Sequence, residues 1–171
     1  IEKEIAASNA RGDTRKVWEH DKTAWTGADE NKWLGWLDAV EREIRDIPNL
    51  KAFAGEVEKA RTTDIVLLCM GGSSLGAERL RQTFGHREDW PNLHVLDSTD
   101  PGQIGAVRKA IATASTRFIV SSKSGSTLEP NILFDYFFAE TKRNGKQFVA
   151  ITDAGSSMEK TAKEHGFGHV F

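Results

Sequence analysis

The spacing of apolar and polar residues changes character near residue 61. From Asn31 onward, tryptophan and aliphatic residues recur near the 3.6-residue period of a helix, with charged residues between them. This pattern predicts an amphipathic helix that ends at Pro48, because proline cannot continue the backbone hydrogen-bond ladder. Residues 1–61 are therefore expected to form a helical segment that packs on the remainder of the chain.

Four tryptophans crowd this helical segment: Trp18, Trp25, Trp33 and Trp36. A cluster of aromatic rings could form a platform on which a ligand stacks. Aromatic side chains at helical spacing more often belong to a core, since each buries a large apolar area. The core interpretation is therefore the prediction for this cluster.

After residue 61, short apolar runs alternate with longer amphipathic segments. The short runs predict strands at 64–70, 92–96, 117–121, 147–152 and 167–171. The segments between them predict helices at 75–84, 101–113, 127–143 and 156–165. Strands that alternate with helices indicate a parallel sheet covered on both faces, joined by right-handed crossovers. The predicted fold class is therefore α/β, with residues 62–171 as the α/β domain.

Composition and charge narrow the function classes. The chain has 171 residues, 39% of them hydrophobic and 28% charged, with a net charge of -2. This composition suits one globular domain with an extension and gives no electrostatic case for nucleic-acid binding. No apolar stretch approaches the roughly 18 to 20 residues that a membrane span needs. The amino terminus lacks a secretory signal, so a cytoplasmic location is expected. It also lacks an initiator methionine, which suggests a piece of a longer protein or a processed chain.

Cys69 is the only cysteine, and it lies within an apolar run. One thiol can form neither an internal disulfide nor a cysteine zinc cage, so a buried core position is expected. The five histidines show no metal-ligand spacing, and neither a metal nor a cofactor is expected. His94 lies within a strand run, which favours a partly buried position. Glu129 could act as a general base, but near a helix start it more simply complements the helix dipole.

Small polar residues follow four of the predicted strands, in segments 71–76, 97–101, 121–127 and 152–157. In a parallel sheet these strand ends share one edge. Ligands of open α/β sheets bind along that edge, where the strand order reverses. The chemistry of the chain is therefore expected there.

The first of these segments (GGSSLG, 71–76) pairs glycines with serines directly before a helix. Glycine lets the backbone approach a ligand, and a helix amino terminus offers free N–H groups to a phosphate. Gly72 and Ser73 are the candidates for that contact. The alternative is a tight turn in which Ser73 or Ser74 caps the helix. The spacing matches neither a P-loop nor a dinucleotide fingerprint. The elbow that a nucleophilic serine would need is also missing.

The third segment (SSKSGST, 121–127) surrounds a lysine with hydroxyl groups. Pro130 belongs in the first turn of the following helix, which favours Thr127 as the N-cap. Hydroxyls, backbone N–H groups and a helix dipole can coordinate a phosphate dianion with little net charge. The alternative is a hydroxyl-rich surface loop with Lys123 in solvent.

Three segments resemble the bacterial glucose-6-phosphate isomerase family: 71–76 (GGSSLG), 96–101 (LDSTDP) and 122–130 (SKSGSTLEP). The similarity runs over about residues 30 to 171. It implies a sugar-isomerase (SIS) fold, which is a flavodoxin-like three-layer sandwich with a five-stranded parallel sheet and, here, an amino-terminal helical extension. It also implies that Ser73, Ser122, Lys123, Ser124 and Thr127 surround the phosphate of a sugar-phosphate substrate.

The resemblance also implies what this segment lacks. In the family, a Gly-Gly-Arg segment, the glutamate base, a histidine and a late lysine come beyond the point that matches Phe171. No catalytic residue is therefore assigned, and the 171-residue chain alone is expected to be inactive. The family implies a second SIS-type domain as a partner and is compatible with a homodimer. Some relatives carry the isomerase behind a transaldolase.

Two other function classes remain open. A SIS-type domain can act as a non-catalytic sugar-phosphate sensor, usually together with a DNA-binding module. The amino-terminal helices show no basic recognition helix, which disfavours that class. A flavodoxin-like nucleotide-binding module is the other alternative, and bound flavin would reveal it by absorbance.

Overall fold

The computed structural model describes residues 1–171, with the side chain of Asn31 left aside. The chain divides into two compact units, Ile1–Ala54 and Gly55–Phe171.

The larger unit is built on a five-stranded, all-parallel sheet in the order β2-β1-β3-β4-β5. The strands are β1 (Asp64–Leu68), β2 (Asn92–Leu96), β3 (Thr116–Ser121), β4 (Phe148–Ile151) and β5 (His169–Val170). All five predicted strands are confirmed, with ends that shift by up to two residues. The α/β fold class is likewise confirmed.

Helices follow the strands in alternation: α4 (Gly72–Phe84), α5 (Pro101–Ala110), α6 (Leu128–Glu140) and α7 (Ser157–Glu164). Short 3-10 turns at Thr113–Ser115 and Gly145–Gln147 lead into β3 and β4. The connection from β1 to β2 runs in one direction across the sheet, and the later connections run in the other. Right-handed crossovers therefore place α4 on one face and α5 to α7 on the opposite face.

The core lies between the sheet and the three helices α5, α6 and α7 on one of its faces. Alternate strand residues such as Val66, Phe118 and Phe148 are fully buried there, because successive side chains of a strand point to opposite faces. The rings of Phe118 and Phe148 stack at a centroid distance of 5.0 Å. Phe137 packs on Phe118 at 4.9 Å. This aromatic layer fixes the sheet and, with it, the loops at its carboxyl edge.

The smaller unit contains α1 (Glu2–Arg11), α2 (Asp13–Trp18), 3-10 turns at Lys22–Ala24 and Glu30–Trp33, and most of α3 (Ala39–Lys59). The prediction that a helix ends at Pro48 was wrong, since α3 runs through that residue. The ring deletes the one hydrogen bond to the carbonyl of Ile44. Val57 is the only buried residue found along α3, and it lies more than two turns beyond Pro48.

The tryptophan cluster was also predicted wrongly as core. Trp18, Trp33 and Trp36 are each more than 60% exposed, and Trp25 is 37% exposed. The predicted start of the helix at Asn31 was wrong as well, because α3 begins only at Ala39 and both Trp33 and Trp36 precede it, in a 3-10 turn and the turn that follows. A helical period also does not show what covers the face that it identifies.

Cys69 and His94 of the larger unit are both buried to the extent that the sequence predicted. Cys69 is fully buried, as predicted, and burial together with the nearby charge of Asp97 raises the pKa of its thiol to about 12. His94 is partly buried and its Nε2 lies 2.9 Å from Oδ1 of Asp64. Among the described helices, none combines the length and the hydropathy of a membrane-spanning segment.

Candidate functional site

A cavity of about 220 Å³ lies where the strand order of the sheet reverses. The chain leaves β1 toward β2 and returns to form β3 on the other side of β1, so the loops after β1 and β3 diverge around this point. The cavity is lined by residues from those two loops and from the start of α6: Met70, Ser73, Ser121, Ser122, Lys123, Ser124, Thr127 and Pro130. This is the place where open α/β sheets bind their ligands.

The structure brings five of the predicted site residues together at this cavity: Ser73, Ser122, Lys123, Ser124 and Thr127. Gly72 begins α4 and does not line the cavity. The segment after β2 also lies outside the lining, where Asp100 instead caps α5 by accepting from the amide of Gln103 at 2.9 Å. The two loops that bear the resemblance therefore converge, whereas the third segment serves a helix start.

The loop after β1 is shaped by Gly71 and Ser74. Gly71 has a φ of 58° and a ψ of −121°, a backbone conformation that side chains with a Cβ rarely adopt. The buried Ser74 hydroxyl donates to the carbonyl oxygen of Gly71 at 2.7 Å. This bond occupies the hydroxyl of Ser74, and it leaves Ser73 as the serine of α4 that reaches the cavity.

The Ser122 hydroxyl is the most unusual group of the site. The residue is only 3% exposed, and its Oγ has no hydrogen-bond partner among the residues that the structure describes. A buried polar atom without a partner costs about 1–3 kcal/mol, so such atoms concentrate where a ligand or an ordered water supplies the bond. Ser122 is therefore a lining residue whose buried hydroxyl is an unused donor.

Thr127 and Ser124 add hydroxyls at the entrance to α6. Thr127 is the N-cap of α6, as predicted, but its side chain forms no capping hydrogen bond. Ser124 Oγ lies 2.8 Å from Ser126 Oγ and accepts from the amide of Ser126 at 3.2 Å. The hydroxyl of Thr127 and the amino end of α6 thus both remain available to an anion at the cavity.

The charges at the cavity favour an anion. Lys123 is exposed and contributes the positive charge of the lining, which contains no carboxylate. Glu129 lies in the first turn of α6 but is not a lining residue. No cluster of histidine, cysteine and carboxylate side chains suited to a metal occurs within the described residues. The arrangement can therefore bind an anion through hydroxyls and one ammonium group, but its lining offers no general base.

A larger cavity of about 420 Å³ lies at the opposite edge of the sheet, near the amino ends of β1 and β2. Its lining mixes carboxylates such as Glu58 and Asp89 with Arg61 and His86. Mixed charges give no preference for a phosphate dianion. Size alone would favour this cavity as a ligand site, but the hydroxyl and lysine donors favour the smaller cavity as a phosphate site.

The sequence did not predict two residues, Asn131 and Thr152, that bond the loop after β3 without lining the cavity. The amide group of Asn131 donates to the carbonyl oxygens of Gly125 and Thr127, at 2.9 and 2.7 Å. The Thr152 hydroxyl donates to the carbonyl oxygen of Ser122 at 2.7 Å. Thr152 follows a strand, so its place at the carboxyl edge was predictable. Its partner was not, because no sequence spacing encodes which carbonyl a side chain will meet.

Curated glucose-6-phosphate isomerases are similar to this chain in sequence. The protein of Nostoc sp. (strain PCC 7120) is 29% identical over 178 residues, which cover 90% of this chain and 34% of that protein. The protein of Nostoc punctiforme is 31% identical over 176 residues, which cover 87% of this chain and 33% of that protein. The chain thus spans about a third of the length of these relatives. No protein-family model matches it.

Two solved structures share the fold of this chain. A crystal structure of a glucose-6-phosphate isomerase from Chlamydia trachomatis superposes with a TM-score of 0.68 at 25% identity, covering 79% of this chain and 26% of that one. A hypothetical protein from Thermus thermophilus superposes with a TM-score of 0.70 over 100% of this chain and 41% of its own, at 22% identity. The second likeness concerns the fold alone.

Proposed function

We propose that this chain, which is a homologue of glucose-6-phosphate isomerases, binds the phosphate group of a hexose 6-phosphate at the cavity between the β1 and β3 loops. The observation that carries the proposal is Ser122, which lines a cavity with hydroxyls, one lysine and no carboxylate, and whose own buried hydroxyl lacks a partner within the described structure. Such a donor set suits a phosphate dianion, whose oxygens accept several hydrogen bonds.

The full reaction of the isomerase relatives would place this chain in the interconversion of glucose 6-phosphate and fructose 6-phosphate. That conversion needs a base near the reacting carbons and a donor for the developing oxyanion. The phosphate lies several bonds from those carbons, and no carboxylate lines this cavity. We therefore assign substrate binding and orientation to this segment and the proton transfer to a part of a longer protein outside these 171 residues.

Titration of the purified chain tests the binding proposal. Fructose 6-phosphate, glucose 6-phosphate and glucose are added separately while backbone amide shifts are recorded. Both phosphates should shift the amides of residues 71–76 and 121–129, and glucose should leave them unchanged. An equal response to glucose and its phosphate, or shifts confined to other residues, contradicts a phosphate site here.

A coupled assay of fructose 6-phosphate conversion tests the division of labour. The 171-residue chain should bind the sugar phosphate without turning it over, whereas a longer protein that carries the rest of the relatives' length should be active. Turnover by the short chain, purified from a host that lacks its own isomerase, would show that this segment holds the catalytic base.

A further inference from the structure

We infer that Thr152 is a positioning residue for the proposed phosphate site, although it does not line the cavity. Its hydroxyl donates to the carbonyl oxygen of Ser122 at 2.7 Å and lies 3.2 Å from the carbonyl oxygen of Lys123. Both carbonyls belong to the loop after β3, which supplies most of the polar lining. The inference rests on the proposed function, because it assigns a role within that same site.

Other donors reach this loop from the same side as Thr152. The backbone amide of Asp153 donates to the carbonyl oxygen of Lys123 at 3.1 Å. The Ser157 hydroxyl donates to the carbonyl oxygen of Ser124 at 3.2 Å. The carbonyl groups of three successive residues, 122–124, are therefore all bonded to the segment 152–157, which runs from the end of β4 to the first residue of α7.

The direction of these carbonyls fixes the direction of the amides that follow them. In a planar trans peptide, the C=O of one residue and the N–H of the next point opposite ways. Since β3 lies between β1 and β4, carbonyls turned toward the β4 side leave their paired N–H groups turned toward β1, where the cavity lies. The N–H groups concerned are those of Lys123, Ser124 and Gly125, and the described residues offer them no partner. Successive N–H groups aimed at one point bind anions.

Thr152 is also the last link of a hydrogen-bond chain from α7. A carbonyl oxygen can only accept, so the single hydroxyl hydrogen of Thr152 is committed to the loop. The 2.7 Å contact between Thr152 Oγ1 and Ser156 Oγ therefore requires Ser156 to donate. Ser156 Oγ in turn accepts from the amide of Glu159 at 3.0 Å. Hydrogen bonds in such a chain polarise one another, which strengthens the bond from the Thr152 hydroxyl to the Ser122 carbonyl.

The test replaces Thr152 with valine, which keeps the side-chain shape and removes the hydroxyl. Thr152→Ser is the matched control, because it keeps the hydroxyl. Fructose 6-phosphate affinity is measured by titration, and amide shifts and hydrogen exchange are followed at residues 123–125. Thr152→Val should weaken binding by about tenfold and alter these amides, since it releases a hydrogen bond within the site. Thr152→Ser should restore both.

A second variant covers the case in which Thr152→Val does not fold. Ser157→Ala removes an exposed hydroxyl and the bond to the Ser124 carbonyl, and it should weaken binding by about threefold while unfolding in urea as the wild type does. Wild-type affinity in the folded variants overturns the positioning role and leaves the phosphate site intact. Failure of the wild-type chain itself to bind overturns the proposed function.

Discussion

A Cβ atom placed on Gly125 would lie 2.2 Å from the backbone nitrogen of Met158. This glycine sits in the middle of the loop after β3 with a φ of 72°, in the left-handed region that favours glycine. Both the close approach to α7 and the backbone angle therefore require glycine. This contact holds the loop after β3 against the start of α7, where Ser157 also bonds the Ser124 carbonyl. Gly125 therefore helps α7 to support the loop.

Gly125→Ala should destabilise the chain by about 2–4 kcal/mol, since it adds overpacking to the strain of a positive φ. Gly155→Ala is the matched control, because Gly155 has a φ of 79° but nothing lies within 4 Å of its would-be Cβ. The control should lose only about 1 kcal/mol. Urea unfolding measures both. Equal losses in the two variants would mean that α7 can move away from position 125 without cost.

Ser122→Ala should separate binding from stability. Its hydroxyl is buried without a partner in the described structure, so its removal should leave the free energy of unfolding unchanged or raise it by up to about 1 kcal/mol. The affinity for fructose 6-phosphate should fall. Ser74→Ala is the comparison for stability, since it deletes the 2.7 Å hydrogen bond of a buried serine and should destabilise by about 1 kcal/mol. A clear loss of stability in Ser122→Ala would reveal a structural role for its hydroxyl.

The larger unit could be predicted well because its signals are local. Each strand is a short apolar run bounded by polar residues, and Pro130 and Thr127 together identified the start of α6. The meeting of the Ser73 and Ser122 loops also followed from sequence, because a topological rule places the loop after one strand beside the loop after its neighbour. The bonds of Thr152 and Asn131 to the loop carbonyls could not be predicted. Those of Thr152 depend on atomic placement across 30 and 29 residues of sequence, and those of Asn131 depend on its side-chain rotamer.

The smaller unit was predicted less well for a physical reason. A helical period such as that of Val40, Ile44 and Ile47 fixes which residues share a face, but all three are more than 40% exposed here. Pro48 was treated as a certain helix end, whereas proline imposes a finite cost that a helix can bear. Burial and termination both depend on tertiary context, and the pattern of one segment does not contain it.

Pro48→Ala should stabilise α3, because alanine restores the amide that Pro48 lacks and removes the clash with the preceding turn. The gain should reach at most about 3 kcal/mol, the difference between the two residues in a helix interior. Pro101→Ala is the control, since Pro101 occupies the first turn of α5, where no hydrogen bond is lost. Thermal unfolding followed by circular dichroism compares them. A stabilisation by Pro101→Ala as large as that of Pro48→Ala would contradict the explanation.

Asp64 should make the chain sensitive to acid. Burial acts to raise the pKa of this carboxyl, but the hydrogen bonds from His94 and Thr63, together with the charge of His94, outweigh burial and lower the pKa. A lowered pKa in the folded state contributes stability above the unfolded value of about 3.9 and loses it as the pH falls through the folded value. Asp64→Asn should therefore show a shallower loss of stability below about pH 4 than the wild type.

Urea unfolding at a series of pH values between about 2 and 6 would measure this difference. Asp135→Asn, an exposed carboxylate on α6, is the control and should follow the wild-type curve. If Asp64→Asn and the wild type lose stability in parallel as the pH falls, the Asp64–His94 pair carries no acid sensitivity.

Ser124→Asp and Thr127→Glu should each abolish sugar-phosphate binding and leave the fold intact. Both residues line the cavity and both are exposed, so a carboxylate there can stay hydrated in the free protein and costs little stability. A bound phosphate dianion would meet that carboxylate at contact distance, where like charges repel.

Ala112→Glu is the control for the added charge, since it places the same charge at an exposed position before β3, at the opposite edge of the sheet. Screening over such a separation should leave its affinity close to that of the wild type. Lys123→Ala should weaken binding more mildly than either acidic substitution, because the hydroxyls and the amides after β3 remain. Titration with fructose 6-phosphate, alongside circular dichroism of each variant, decides the matter. Retained affinity in both acidic variants would show that the anion binds outside this cavity.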